Sequence, residues 1–347
     1  MRRKILSMLL AALMLFALLA GCGNSGGAEK QPGSTLPAGS TPTPIKVKVA
    51  NLYAENVPET QSLYLFKEEV EKKTDGAIQI EIYPNGQLGT EDALLESVQT
   101  GSVEIFLSGG LTVPEIPYTN ITLLPNIFRD YDHARRALED PKIFADLTQG
   151  VENSKLVVFP YTPSGFRAIF ANRPLQSMED FKGLRLRVPN IPVWIEWATN
   201  LGTNPITMPM TEVFTALEQK VVDAQETPPS ICRGNKFNEV SDYGLDSKHM
   251  LTLHLWLVNR EFFESLTPEQ QQIFADAITL VNDYTWEQSE ASDNADMEYF
   301  AENGMEIISP DDVFRQAMAD SQQATYEWLD EQYPGSMEII QEIIDFK

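Results

Sequence analysis

Arg185 and Arg187 stand two apart in Leu184-Arg185-Leu186-Arg187-Val188, where the period of a β-strand puts the three aliphatic residues on one face and both arginines on the other. A guanidinium near the end of a strand can grip a carboxylate through two parallel hydrogen bonds. The surrounding window, residues 165–190, holds Arg167, Arg173, Lys182, Arg185 and Arg187 against Glu179 and Asp180, a locally positive stretch in a chain of formal net charge −24. Spacing alone leaves a second reading open, in which both arginines are solvated or pair with surface acids. Other chemistries find little support. His133, His249, His254 and the lone thiol of Cys232 make no nucleophile–base pattern, and His249 and His254 lack the i, i+4 spacing of a metal pair on one helix face. No glycine-rich phosphate loop is present, and neither a metal nor a cofactor is expected.

The elements that must position these arginines read as an alternation of strands and helices. Ile45-Lys46-Val47-Lys48-Val49 alternates as a half-exposed first strand. A helix over residues 59–73 turns Leu63, Phe66 and Val70 inward and closes at Asp75-Gly76. Ile78, Ile80 and Ile82 mark a second strand, Pro84-Asn85-Gly86 a turn, residues 92–100 a helix and residues 103–107 a third strand. This β-α-β-α-β order implies an α/β fold with mostly parallel sheets and ligands beyond the carboxyl ends of the strands. Further strands fall at 156–159, 167–171 and 184–188, and helices near 193–200 and 211–219. Thr267-Pro268-Glu269-Gln270 carries a capping signature, and nothing breaks the helix it starts until Gly304. At about 1.5 Å per residue such a helix is longer than one domain needs and can span two. Trp194 and Trp197 show helical spacing and read as packing; Trp256 reads as core.

The chain opens with Met1-Arg2-Arg3-Lys4 and an apolar run over 5–20, too short for a membrane span of about 20 residues and read as a secretory signal. Leu19-Ala20-Gly21-Cys22 sets small residues before a cysteine, so residues 1–21 are expected to be removed and Cys22 to carry lipid. Residues 22–44, rich in Gly, Ser, Thr and Pro, cannot bury enough surface to order themselves and read as a linker. Without Arg2, Arg3 and Lys4 the chain is still more acidic, which excludes nucleic acid as a partner for the body. Beyond Cys22 only Cys232 remains, so the body has no internal disulfide. The remaining length exceeds one core, and two domains are expected.

Four ordered motifs then carry a resemblance: Tyr83-Pro84-Asn85-Gly86-Gln87-Leu88-Gly89; Gly165-Phe166-Arg167; Gly183-Leu184-Arg185-Leu186-Arg187-Val188-Pro189-Asn190; and Thr211-Glu212-Val213-Phe214-Thr215-Ala216-Leu217 running on to Val221-Val222-Asp223-Ala224-Gln225-Glu226. Together they resemble the DctP-type solute-binding subunit of tripartite ATP-independent periplasmic (TRAP) transporters, over nearly the whole chain after the linker. The resemblance implies a two-lobed binding-protein fold whose lobes, joined by hinge strands and a shared helix, close over an organic acid. Lobe I is expected over 45–164 and 253–285, lobe II over 165–252 and 286–347, with the long helix at about 267–303. It further implies Arg187 as the carboxylate partner, Arg167 as a second cationic contact, and Asn190 as a nearby polar one. Arg185 falls where lysine is common and is expected at the surface. Thr227 stands where the family has an asparagine that commonly touches ligand, which changes the hydrogen-bond pattern there. Met210 either lines the pocket or fills core. Asn56 with Glu55, and Glu91 with Asp92, are expected to face the cleft from the other lobe, or to be ordinary solvated loop and cap residues.

Under the same resemblance the partners are a small organic acid, such as a C4-dicarboxylate or a uronate, the two integral membrane subunits of a TRAP transporter, and the membrane through the lipid. The protein is expected to be an extracytoplasmic monomer and not an enzyme. A closing two-lobed cleft would equally serve a binding lipoprotein of an ATP-driven importer or a sensor; a lyase acting on sugar acids is the enzyme alternative.

Overall fold

Period-two alternation and helical stripes of the kind read above build two sheets, each with its own apolar cluster. The computed structural model describes residues 43–110 and 113–347, so Cys22, the signal and nearly all of the linker lie outside the described residues. The strands are β1 (Ile45–Ala50), β2 (Ile78–Tyr83), β3 (Ile105–Ser108), β4 (Leu156–Phe166), β5 (Ala168–Ala171), β6 (Arg185–Val188), β7 (Asn204–Thr207), β8 (Ala224–Thr227), β9 (Tyr243–Leu245), β10 (Leu251–Asn259) and β11 (Glu306–Ile308). One sheet runs β2-β1-β3-β10-β4 and the other β11-β9-β5-β8-β6-β7. The sheets are mixed. Pairings between strands joined by crossover helices are parallel, as in β1–β2 and β6–β7, whereas pairings through β10, β4 and β5 are antiparallel.

The helix Pro58–Lys73 buries Leu63, Phe66 and Val70, and Phe66 meets Trp256 of β10 and Phe274 of the long helix at ring-centroid distances of 5.2 and 5.5 Å. Trp256 is core, its indole N–H donating to the Thr162 hydroxyl at 2.7 Å. The long helix, Pro268–Glu302, starts at the Thr267–Gln270 capping box. Phe274, Ala277 and Val281 pack into the cluster of the first sheet, and Phe300, near the other end, into that of the second, where it meets Phe170 at 5.5 Å. Among the described residues no helix is long and apolar enough to cross a membrane.

One feature departs from the sequence reading. β4 runs on through Pro160 and Pro163 to Phe166 instead of stopping near residue 159. It is an edge strand, where a missing N–H costs no ladder bond. The last helix, Ser336–Asp345, packs beside the helices that flank the first sheet. Ile339, Ile340 and Ile343 enter the cluster of Ile116, Ile121, Ile143 and Leu147, and Arg129 donates to the carbonyls of Ile344 and Phe346 at 2.7 and 2.8 Å. Its apolar stripe is wide enough to seek a second layer, and the helices flanking the first sheet provide one.

The chain changes sheet at Arg167, between β4 and β5, and returns between β9 and β10; the Arg167 N–H bonds the Met250 carbonyl at 2.8 Å across these two passages. Buried carboxyls grip this crossing. Glu59 accepts from the Ser164 hydroxyl and, at 3.3 Å, from Ser230; Asp293 accepts from Tyr131 and from the Phe166 N–H at 2.8 Å. Burial raises both carboxyls above their ordinary values. A Cβ on Gly165 would lie 2.4 Å from an Asp293 oxygen, so the crossing passes that carboxyl only as glycine.

Candidate functional site

β6 puts both arginines on one face, and their places along the strand set them apart. Leu184, Leu186 and Val188 are fully buried on one face. On the other, Arg185 lies at the outer end, partly exposed and paired with Asp223, Nε to Oδ2 at 3.0 Å. Arg187, 1 % exposed, reaches the wall of a cavity of about 580 Å3 at the carboxyl ends of β6, β7 and β8. Its Nε and Nη2 donate to the Met208 carbonyl at 3.2 and 2.8 Å, and its Nη1 has no partner among the described residues. Burial draws its pKa down to about 10, against the opposing pull of Glu226, so it remains a cation at neutral pH.

Arg167 lines the same cavity but is already committed. Its Nε and Nη2 engage the Glu226 carboxylate, the second at 2.8 Å, and its Nη1 donates to the Thr252 hydroxyl at 2.8 Å. Its guanidinium lies over the Trp194 ring, 4.4 Å from the centroid. Burial would raise the Glu226 carboxyl, but Arg167 and the His249 side chain outweigh it and hold it below its ordinary value. His249 stacks on Trp197 at 4.7 Å, and burial lowers its pKa, so the ring is neutral.

The opposite wall comes from the first sheet. Leu52 and Tyr53 follow β1, and Tyr53 packs on His254 with centroids 4.8 Å apart. Glu91 opens the helix Glu91–Thr100; its Oε1 accepts from the Gly109 N–H at 3.0 Å and the Ser108 hydroxyl at 3.4 Å, and burial pushes its pKa up to about 7. Gly109 makes room for this wall, because a Cβ there would sit 1.3 Å from the Tyr53 hydroxyl oxygen. Gly109→Ala is therefore expected to displace Tyr53, costing about 1–3 kcal/mol as overpacking does, read as a lowered melting temperature.

The structure brings Arg187, Arg167, Asn190, Thr227, Met210 and Glu91 together on one cavity, with Asp92 at its edge. Thr227 is fully buried, and its hydroxyl has no partner among the described residues. Asn56 does not join them. It is exposed with Glu55 on a turn, while the same loop, pinned by the Asn85 N–H to the Tyr53 carbonyl at 2.8 Å, sends Leu52 and Tyr53 inward. Trp194 packs in the core as its spacing implies and also lines the cavity, its indole N–H fixed on the Leu123 carbonyl at 2.8 Å. Its place in the first turn of the helix that follows β6 is the signal that could have marked it.

The sequence model of the bacterial extracellular solute-binding proteins, family 7 (DctP), matches residues 49–332. A 2,3-diketo-L-gulonate-binding periplasmic protein of Escherichia coli is 30% identical over 258 residues, 74% of this chain and 78% of that protein. A sialic acid-binding periplasmic protein of Vibrio cholerae is 30% identical over 267 residues, 75% of this chain and 82% of its own length. Among solved structures, a TRAP periplasmic solute-binding protein of Haemophilus influenzae with bound L-gulonate is 32% identical, with a TM-score of 0.83 over 87% of this chain and all of that one. The sugar acid binding protein of Advenella mimigardefordensis in complex with galactonate superposes with a TM-score of 0.82 at 27% identity, covering 87% and 97% of the two chains.

Proposed function

This chain belongs to family 7 of the bacterial extracellular solute-binding proteins, the DctP family, and from that premise we propose that it captures a small organic acid outside the cytoplasmic membrane and delivers it to a TRAP permease. It is a binding protein, not an enzyme. The ligand is a C4-dicarboxylate or a sugar acid such as a uronate; the L-gulonate and galactonate held by its relatives favour the sugar acids. The observation that carries this reading is Arg187, a buried cation with one nitrogen unpartnered in the wall of the cavity. Its guanidinium makes a salt bridge to the ligand carboxylate, with Asn190, Thr227 and Met210 beside it and Arg167 behind it. Glu91 and Tyr53 meet the ligand from the other lobe.

A ligand shifts the open–closed balance only by the difference in its affinity for the two states, so contacts from both walls are required. The closed form is what the small and large membrane subunits recognise. Lipid on Cys22 keeps the monomeric protein beside them.

A thermal-shift panel of organic acids tests this. At a hundred times its dissociation constant a true ligand adds about 2.7 kcal/mol, a readily measured rise in melting temperature. A rise confined to carboxylates is expected; a response to uncharged sugars alone overturns the proposal.

A further inference from the structure

Gln225 lies one layer beneath the cavity and lines no part of it, yet it is the side chain set beside Arg187. β6 and β8 run parallel with Arg187 and Gln225 as Cα partners, so both side chains leave the sheet on the same face. The row continues into Phe170 of β5 and Ile206 of β7. Both belong to the apolar cluster built around Val213, Phe237 and Phe300. A guanidinium and a carboxamide thus sit side by side in a layer that is otherwise hydrocarbon. Gln225 is fully buried, and neither its oxygen nor its nitrogen has a partner among the described residues, as is true of Arg187 Nη1. A buried amide left unpaired costs stability that an apolar side chain of the same size would not, so its presence calls for a functional cause.

We propose that Gln225 is a positioning residue, which fixes the Nη1 edge of Arg187 for the ligand carboxylate without cancelling its charge. This inference rests on the reading of Arg187 as the anion contact. The Met208 carbonyl holds the other edge of the guanidinium through Nε and Nη2. Nη1 and the carboxamide are not bonded to each other in this structure; with a carboxylate seated on Arg187, the carboxamide oxygen can accept from Nη1 while its N–H group donates on the side of Thr227, two residues on and on the same face. The next residue of β8 shows the alternative. Glu226, on the opposite face, also meets an arginine, and there the carboxylate neutralises Arg167. A cation meant for a ligand needs a neutral partner; a cation meant for the framework takes a charged one.

Calorimetric titration with L-gulonate, with succinate as a second probe, together with thermal unfolding, tests this on the native protein and on Gln225→Met, Gln225→Glu and Arg187→Ala. Gln225→Met should melt at or above the native temperature yet bind about ten-fold more weakly, a split that a purely structural role would not produce. Gln225→Glu should bind about a hundred-fold more weakly, because the introduced carboxylate pairs with Arg187 and neutralises it, as Glu226 neutralises Arg167. Native-like binding by Gln225→Met or by Gln225→Glu overturns the positioning role while Arg187→Ala still fails to bind. Native-like binding by Arg187→Ala overturns the reading beneath it.

Discussion

Arg187→Ala is expected to lose binding of the ligand by a hundred- to a few thousandfold while the protein remains folded. The basis is the cost of breaking a buried charge pair, about 3–5 kcal/mol, which here falls on the ligand carboxylate left in the cavity without its partner. The fold survives because the arginine is held by one carbonyl and keeps an unpartnered nitrogen, so truncating it removes a desolvated charge as well as the contact. Arg185→Ala is the matched control. Its guanidinium sits partly in solvent against Asp223, a pair of the kind that contributes about 0–1 kcal/mol, and it does not line the cavity that Arg187 reaches. Calorimetry on the two variants separates them by at least ten-fold in affinity; equal affinities remove the assignment of Arg187.

The face that the two arginines share was legible because strand alternation is local, whereas the choice between them came from the resemblance and not from spacing. Leu184, Leu186 and Val188 declare the buried face, and the same rule sends Arg187 into the layer where it meets Met208. The long helix was legible for a similar reason, since Thr267, Pro268 and Gln270 announce its start and nothing breaks its interior. What stayed hidden depends on residues far apart in the chain. Nothing near Arg167 announces Glu226, whose carboxylate arrives from another strand; nothing near Gly109 announces Tyr53, whose hydroxyl occupies the space of its missing side chain. Asn56 failed for want of the turn geometry that faces it outward, and Gln225 drew no notice because a glutamine in a strand says nothing until its neighbours in the sheet are known. Local periodicity marks a face, but only the assembled sheets show who shares it.

The largest stability effect is expected from Glu226→Ala. Arg167 stands where the chain passes between sheets, and the variant leaves its guanidinium buried with a hydroxyl, a backbone carbonyl and the Trp194 ring but no counter-charge. Leaving one member of a buried pair uncompensated costs about 3–5 kcal/mol, which lowers the melting temperature by roughly 5–15 °C in a chain of this size. Acid provides a second measure. Because the Glu226 carboxyl is held below its ordinary value, its contribution is fully present above the unfolded glutamate value of about 4.3 and is lost as pH falls below it. Urea unfolding of the native protein should therefore show an acid-side loss from this group that Glu226→Gln lacks. Replacing both partners, as Arg167→Met with Glu226→Leu, removes the stranded charge and should recover most of the stability lost by Glu226→Ala. A single variant that melts like the native protein would mean that something other than this ion pair holds the crossing strands together.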